Sequence, residues 1–438
     1  RLTKHNFYDK IDRISRIRVV KALFGCPRRN TMLQLIAGGV CAPKGFAANG
    51  VHCGIRKNKI KKDLALITSE VRCAAACVYT QNLVKGAPIL VTKEHVKDGY
   101  ARAVIVNSGN ANTCNANGVE IAEKMCSLVE EYTGIPAGDV VVASTGVIGQ
   151  ELKLEPIAGG MEELVKGLSS DEAHSSAAAE AIMTTDTVKK EAAVSFELGG
   201  KEVKLGVICK GVGMICPNMA TMLMFLTTDA AITPGMLQKA ISEDVKDSLN
   251  MLSVDRDTST NDTLCILASG LAGNQPIEAE GEDFALFSRA LHTLTTEMCK
   301  KLAADGEGAT RLIECRVRGA KTKEDARLAA KSVVNSNLVK AMIFGADANG
   351  GRVMCALGYA GADLDPMKID VDFRSEAGTL PAYKQGSALP FSEDFAKRVL
   401  SEKEIVIDVS LNEGSFEATA WGCDLTYDYV KINGDYRT

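Results

Sequence analysis

The sequence predicts an α/β (α+β) fold, with helix layers around sheets that are largely mixed or antiparallel. Three observations carry it. Short β-rich runs alternate with turns over residues 38–149. Apolar residues at helical spacing fill Val119–Tyr132 and Phe284–Leu302, and a period of 3.6 marks one buried helix face. Residues Glu404–Leu411 instead alternate Ile405, Ile407, Val409 and Leu411 with polar residues, as a half-buried antiparallel strand does.

In chain order, Leu64–Thr68, Pro88–Thr92, Ala101–Asn107 and Val140–Ser144 read as strands from their β-branched content. In the helix Val119–Tyr132, Ile121, Met125, Leu128, Val129 and Tyr132 share a face, and Gly134 is a natural stop. Residues 151–185 are helical in pattern. Met222–Leu226 is an unbroken apolar run and reads as a buried strand. Thr233-Pro234 opens a helix through a hydroxyl cap and proline at the first turn. Arg311–Arg318 reads as a strand and Glu324–Val334 as a helix. Asn412-Glu-Gly414 then joins Glu404–Leu411 to Ser415–Trp421 with the signature of a hairpin.

Composition narrows the function. Apolar residues make up 46% of the chain and aromatics 5%, so the core is built from Val, Ile, Leu, Ala and Met. A net charge of −4, with no basic–aromatic interleaving, argues against a nucleic-acid partner. No apolar run reaches the length of a membrane span. Of the 14 cysteines, Cys209, Cys265, Cys315 and Cys355 sit inside apolar runs, as small core residues do. This points to free thiols in a reducing cytoplasm. No cysteine or histidine spacing suits a metal, and the five scattered histidines favour no His-based triad. Residues 1–31 stand apart, with nine Lys/Arg against two Asp and no initial Met. They read as a non-native or upstream extension before a native start at Met32, with an organelle transit peptide as the alternative.

The midpoint holds Lys210-Gly-Val-Gly-Met-Ile-Cys-Pro-Asn-Met-Ala-Thr221, just before the run Met222–Leu226. A hydroxyl at the head of a buried strand, after a flexible turn, suits self-cleavage and an N-terminal nucleophile. A plain glycine turn before a core strand fits the same pattern. Four other stretches are open in the same way. Asn107-Ser-Gly-Asn-Ala-Asn-Thr113 suits a polar pocket or a turn needing positive φ. Ala143-Ser-Thr-Gly-Val-Ile-Gly149 suits backbone donors for an oxyanion, or a strand-end turn. Asp255-Arg-Asp-Thr-Ser-Thr-Asn-Asp-Thr263 suits a cation or amino-acid site, or a solvated loop. Asp305-Gly-Glu307-Gly-Ala-Thr310 puts an acid where it can meet an ammonium group, or where it merely follows a helix end.

Together these residues resemble the arginine-biosynthesis ornithine acetyltransferases (glutamate N-acetyltransferases), from Gly38 to Thr438. The likeness rests on the Lys210–Thr221 stretch with Gly38-Gly-Val-Cys-Ala-Pro-Lys-Gly-Phe46, Asn107–Asn112, Ser144–Gly149, Thr184-Thr-Asp186, Asp257–Thr263, Asp305–Thr310 and Tyr429-Val-Lys-Ile-Asn-Gly-Asp-Tyr-Arg-Thr438. The resemblance implies a helix–sheet–sheet–helix layering and self-cleavage between Ala220 and Thr221. An α chain of residues 32–220 and a β chain of residues 221–438 would stay together, as an α2β2 heterotetramer. Thr221 would be the nucleophile, with its own α-amine as base. It would carry acetyl from N-acetylornithine to glutamate by ping-pong transfer. Thr145 and Gly146 match the family's oxyanion hole. Thr184, Lys210, Thr221, Glu307, Asn433 and Thr438 match its substrate contacts. No cofactor or metal is implied. Whether acetyl-CoA is a second donor stays open, and every residue named serves either case. A self-processing aminopeptidase or amidase of the same fold is the alternative enzyme, and an amino-acid-binding protein the non-enzymatic one. Two departures stand near the expected site loops. Val212 replaces a usual Ser, and Phe344-Gly-Ala-Asp-Ala-Asn-Gly-Gly-Arg352 lacks the usual Pro and Trp.

Overall fold

The computed structural model describes residues 33–57, 60–216 and 222–434. Two sheets organise them. The first has nine strands: β1 (Gln34–Ile36), β2 (Phe46–Val51), β3 (Leu64–Tyr79), β4 (Tyr100–Asn110), β5 (Val140–Val147), β6 (Lys190–Leu198), β7 (Lys201–Lys210), β8 (Leu223–Thr228) and, later in the chain, β10 (Thr263–Ala268). Their order is β1-β6-β7-β8-β10-β3-β4-β5, with β2 also on β3. The short β9 (Leu252–Ser253) belongs to the second sheet, with β11 (Leu312–Ala320), β12 (Asp370–Ser375), β13 (Gly378–Lys384), β14 (Ser387–Ala388), β15 (Glu404–Ser410) and β16 (Phe416–Cys423). Its order is β14-β13-β12-β15-β11-β16-β9.

The first sheet folds over itself. Five steps separate β7 from β5, roughly 24 Å on a flat sheet at the usual strand spacing. Yet the Lys210 ammonium at the end of β7 lies 3.2 Å from the Thr145 hydroxyl near the end of β5. The bend lies in β3, whose pairing with β4 shifts between Thr68 and Cys73. One face of β3 (Ala65, Ile67, Cys73, Ala75, Cys77) lines a single inner core along its length. Its other face meets two different cores: Leu64 and Leu66 pack with the helices Gly118–Thr133 and Leu154–Lys166, and Ala76 and Val78 with the helices Pro234–Asp244 and Glu282–Ala304. The result is the expected layering of helix, sheet half, sheet half and helix. Small side chains let the halves close, and the alanine-rich helix Glu172–Ala181 is tucked against β2 between them.

The same outer core runs on into the second sheet. The face of β11 carrying Ile313, Cys315 and Val317 packs under the helix Lys323–Asn335, whose Ala326, Ala329, Ala330 and Val333 point inward.

Most expected elements are present, with shifted ends. Two are not as read. Pro88–Thr92 is not a strand but the body of the helix Ala87–His95. Pro88 supplies a fixed φ for the first turn, and that overrides the β preference of Ile89, Val91 and Thr92. Nor do Glu404–Leu411 and Ser415–Trp421 form a hairpin. β11 inserts between β15 and β16, parallel to the first and antiparallel to the second. The region 151–185 divides into two helices, Leu154–Lys166 and Glu172–Ala181. The extension proposed for residues 1–31 lies outside the described residues.

Candidate active site

Where the two sheet halves come together, a cavity of about 290 Å³ opens, near the small end of the range for small-molecule sites. Its lining draws on the strand ends. Thr145 and Gly146 come from β5, Lys210 from β7, and Met222 and Leu223 from the start of β8. Ser259, Thr260, Asn261 and Asp262 precede β10. Thr184, Thr185, Glu307 and Asn433 complete the wall.

Gly146 cannot be any other residue. Its φ is +136°, and a Cβ there would stand 2.3 Å from the carbonyl carbon of Gly109 on the neighbouring strand. Glycine therefore keeps β5 against β4 to its very end, where the cavity begins. Thr145 beside it receives the Lys210 ammonium on its hydroxyl.

Lys210 is buried, 8% exposed. Burial pushes its ammonium below the ordinary lysine range, against the pull of Asp186. That hydroxyl is its hydrogen-bond acceptor among the described residues. A buried cation with so little compensation would be stabilised by an anion entering the cavity.

Glu307 follows the helix Glu282–Ala304 and is 7% exposed. Its amide donates to the Val212 carbonyl at 2.8 Å. The Thr185 hydroxyl and the Asn433 side-chain amide each donate to its carboxylate at 2.8 Å. Gly308 beside it has φ +70°, and a Cβ there would meet the Tyr429 amide at 2.6 Å. The glycine thus lets the helix Tyr427–Gly434 press close and bring Asn433 onto Glu307. A carboxylate has about four acceptor positions, so Glu307 keeps room for an ammonium donor.

Beneath the wall lies a buried ionic cluster. The Lys190 ammonium donates to Asp186 and to Asp305, each at 2.7 Å. Asp186 also accepts the amides of Gly211 at 2.8 Å and Thr184 at 2.9 Å. Asp305 accepts the amide of Thr187 at 3.1 Å and also its hydroxyl. Burial works to raise the Asp186 pKa, but Lys190 and Lys210 outweigh it and hold the carboxyl below the usual range. One cluster therefore fixes Thr184, the exit of β7 and the approach to Glu307.

Of the residues named from the sequence, the structure gathers Thr145, Gly146, Thr184, Lys210, Glu307 and Asn433 around one cavity. Ala220, Thr221 and Thr438 lie outside the described residues. Met222, next in sequence to Thr221, is on the cavity wall. The stretch Asp255–Thr263 divides its labour. Asp255 accepts the amides of Met214 and Ile215 and holds the loop after β7, while Ser259–Asp262 face the cavity. Asn261 donates to the carbonyls of Ala111 and Ser144 and so ties the ends of β4 and β5 together. Asn107–Asn110 ends β4 and leads into the turn, with positive φ at Gly109 and Asn112 as the turn reading expects; of this stretch Ala111, and none of the amides, lines the cavity. Asp262 was not singled out by itself. Its signal was an acid two residues before the apolar run Leu264–Ala268.

The departures differ in consequence. Val212 is buried and holds Glu307 through its carbonyl, a contact independent of its side chain. Phe344–Arg352 does not line the cavity. It joins the helices Asn337–Gly345 and Gly350–Gly358 and sets Phe344 edge-on to Tyr427, 5.6 Å between centroids. No group of three metal-ligating side chains stands together among the described residues. No described helix is long and apolar enough to cross a membrane, and no disulfide joins the described cysteines.

A buried cation, a buried carboxylate and a strand-end turn around one small cavity are the working parts of an enzyme for a doubly charged small ligand. The chain belongs to the ArgJ family, whose model matches residues 47–438. This is the arginine-biosynthesis family of ornithine acetyltransferases and glutamate N-acetyltransferases resembled by its motifs, and the chain is an acyltransferase of that family. It is 50% identical to an arginine biosynthesis bifunctional protein of Clostridium acetobutylicum, over 90% of this chain and 96% of that one. It is also 50% identical to the corresponding protein of Symbiobacterium thermophilum, over 93% of this chain and all of that one. A solved chain from the Bacillus halodurans protein is 45% identical, covers 48% of this chain and 98% of its own length, and superposes with a TM-score of 0.46.

Proposed function

We propose that the protein transfers acetyl from N-acetylornithine to glutamate by ping-pong chemistry, after cutting itself between Ala220 and Thr221. The observation that carries this is the convergence of Thr145–Gly146, Lys210 and Glu307 on one cavity at the head of β8. Thr221, two residues before that strand, is the nucleophile, and its freed α-amine takes the hydroxyl proton. The hydroxyl oxygen bonds to the acetyl carbon, and Thr145 with Gly146 stabilises the oxyanion. The tetrahedral centre collapses, the carbon–nitrogen bond breaks and ornithine leaves. Glutamate then repeats the sequence in reverse on the acetyl-enzyme. Lys210 suits the α-carboxylate common to both substrates. Glu307 suits the ammonium of ornithine, and Thr184, Asn433 and Thr438 complete the contacts.

On this reading the working chains are residues 32–220 and 221–438, paired as α2β2 in the cytoplasm, and residues 1–31 are an extension. No cofactor is needed. The name "bifunctional" borne by the relatives favours acetyl-CoA as an additional donor. The test is direct. Denatured protein should run as two bands of similar size, with Thr221 at a new N-terminus, and Thr221→Ala should give one uncut, inactive chain. Acetyl transfer by an uncut chain would refute the N-terminal nucleophile. Acetylornithine consumed at the same rate without glutamate would make the protein a hydrolase instead.

A further inference from the structure

On the acetyl-transfer reading, exchanging one amine for another poses a proton problem. Ornithine must leave as an ammonium ion, and glutamate arrives as one and must shed a proton before it can attack. A group on the cavity wall that holds this proton would link the two half-reactions. We propose that Asp262 is that proton carrier.

Its placement supports the role. Asp262 is 1% exposed and lines the same cavity as Thr145, Lys210 and Glu307. Its Oδ2 has no hydrogen-bond partner among the described residues, and buried polar atoms in folded proteins nearly always have one. It immediately precedes Thr263, which pairs with Leu223 on β8, and the Met222 amide donates to its carboxyl. The group therefore borders Met222, the residue next in sequence to the proposed nucleophile Thr221. Burial pushes its pKa well above the carboxylate range, against Ser259, the Lys210 charge, the Met222 amide and Thr80. Burial thus favours its protonated form, the form able to donate.

The charge facing it comes from Lys210 on β7. Tyr79, whose partner in β10 is Thr263, has its own pKa pushed up by burial and stays neutral. Glu307 is the other acid of the cavity wall, and both its oxygens already accept hydrogen bonds.

The step balances. As the acetyl–nitrogen bond of the donor breaks, the Thr221 hydroxyl proton passes through the α-amine to the leaving nitrogen. The Asp262 proton completes the ornithine ammonium, and Asp262 becomes a carboxylate facing Lys210. The glutamate ammonium then returns one proton to Asp262, and its free amine attacks the acetyl carbon. The second amine proton passes through the α-amine to the Thr221 oxygen as the ester bond breaks.

The experiment compares two substrate pairs in Asp262→Asn, which keeps the shape but cannot carry the proton. Acetylornithine with glutamate needs the proton in both half-reactions. p-Nitrophenyl acetate with hydroxylamine needs it in neither, because the leaving group departs as an anion and the acceptor is already neutral. The variant should be cut normally, transfer acetyl to glutamate roughly 100-fold more slowly, and serve the second pair near the wild-type rate. Equal slowing of both pairs, or of neither, would overturn the role. A second measurement needs no variant. At saturating substrates the wild-type rate with the first pair should fall as pH rises through the raised Asp262 pKa, and the rate with the second should not. Matching profiles would overturn the role even if the variant failed to process. A wild-type enzyme that moves no acetyl to glutamate would sink the acetyl-transfer reading and this role with it, whereas the other results sink the role alone.

Discussion

Lys190 and Lys210 are both buried in the first sheet, on adjacent antiparallel strands, and both feel Asp186. Their direct contacts differ: two carboxylates touch Lys190, and among the described residues none touches Lys210. Lys190 donates to Asp186 and Asp305, and these outweigh burial and raise its pKa. Lys210 donates to a hydroxyl, and burial lowers its pKa. The first lysine is complete and holds the wall together. The second is incomplete until an anion enters. Burial alone does not separate these two lysines; carboxylates in direct contact do.

The comparison can be broken in four ways. Lys190→Met should have the largest effect, because it leaves two carboxylates buried without their cation. Removing one partner of a buried ion pair costs about 3–5 kcal/mol, to be read as a lower urea midpoint. A variant of unchanged stability would show that Lys190 is not structural. Lys210→Met should leave stability unchanged or raised, since an undercompensated charge is gone. Its cost should appear in binding instead: a charge-assisted hydrogen bond is worth about 1.5–3 kcal/mol, or roughly 10–150-fold in the KM for glutamate. Equal losses in stability and binding would erase the distinction.

The third is a pH effect. On the proposed reading Lys210 meets a carboxylate in its charged form, which exists below its depressed pKa. Affinity for glutamate should therefore be full below that pKa and fall as pH rises through it, earlier than an ordinary lysine would allow. Asp186→Asn removes a charge that holds the Lys210 pKa up, so this fall should move to lower pH; a fall that stays put would exclude Lys210 as the titrating group. Smallest is Asn433→Ala. It deletes one hydrogen bond to Glu307, worth about 1 kcal/mol. Acetylornithine should bind roughly fivefold less tightly with the urea midpoint unchanged, because the helix Tyr427–Gly434 keeps its Tyr429–Asp255 contact.

Much of this was legible in the chain. Helical and strand periodicities marked most elements because burial imposes them directly. The motif residues that meet at the cavity could be named because their resemblance to a family spans most of the chain. Other features were hidden for physical reasons. The Ala87–His95 helix has a strand-like interior, and only its proline betrays it. The separation of β15 from β16 depends on a strand almost a hundred residues upstream, which no local turn signal reports. Lys190 sits four residues after Asp186, an unremarkable spacing whose meaning comes from Asp305, far along the sequence. Asp262 looked like one acid among three in a polar loop, because an unpartnered oxygen is a property of the surroundings and not of the residue.

The strand order of the first sheet has a consequence for assembly. β8 and β10 are hydrogen-bonded between β7 on one side and β3 on the other. A cut before β8 would make them guests from one polypeptide wedged into the middle of another's sheet. Neither product could complete the sheet alone, so the cut converts an intramolecular folding reaction into a bimolecular one. Uncut protein should refold at a rate independent of concentration, whereas cut protein should refold faster as it is concentrated.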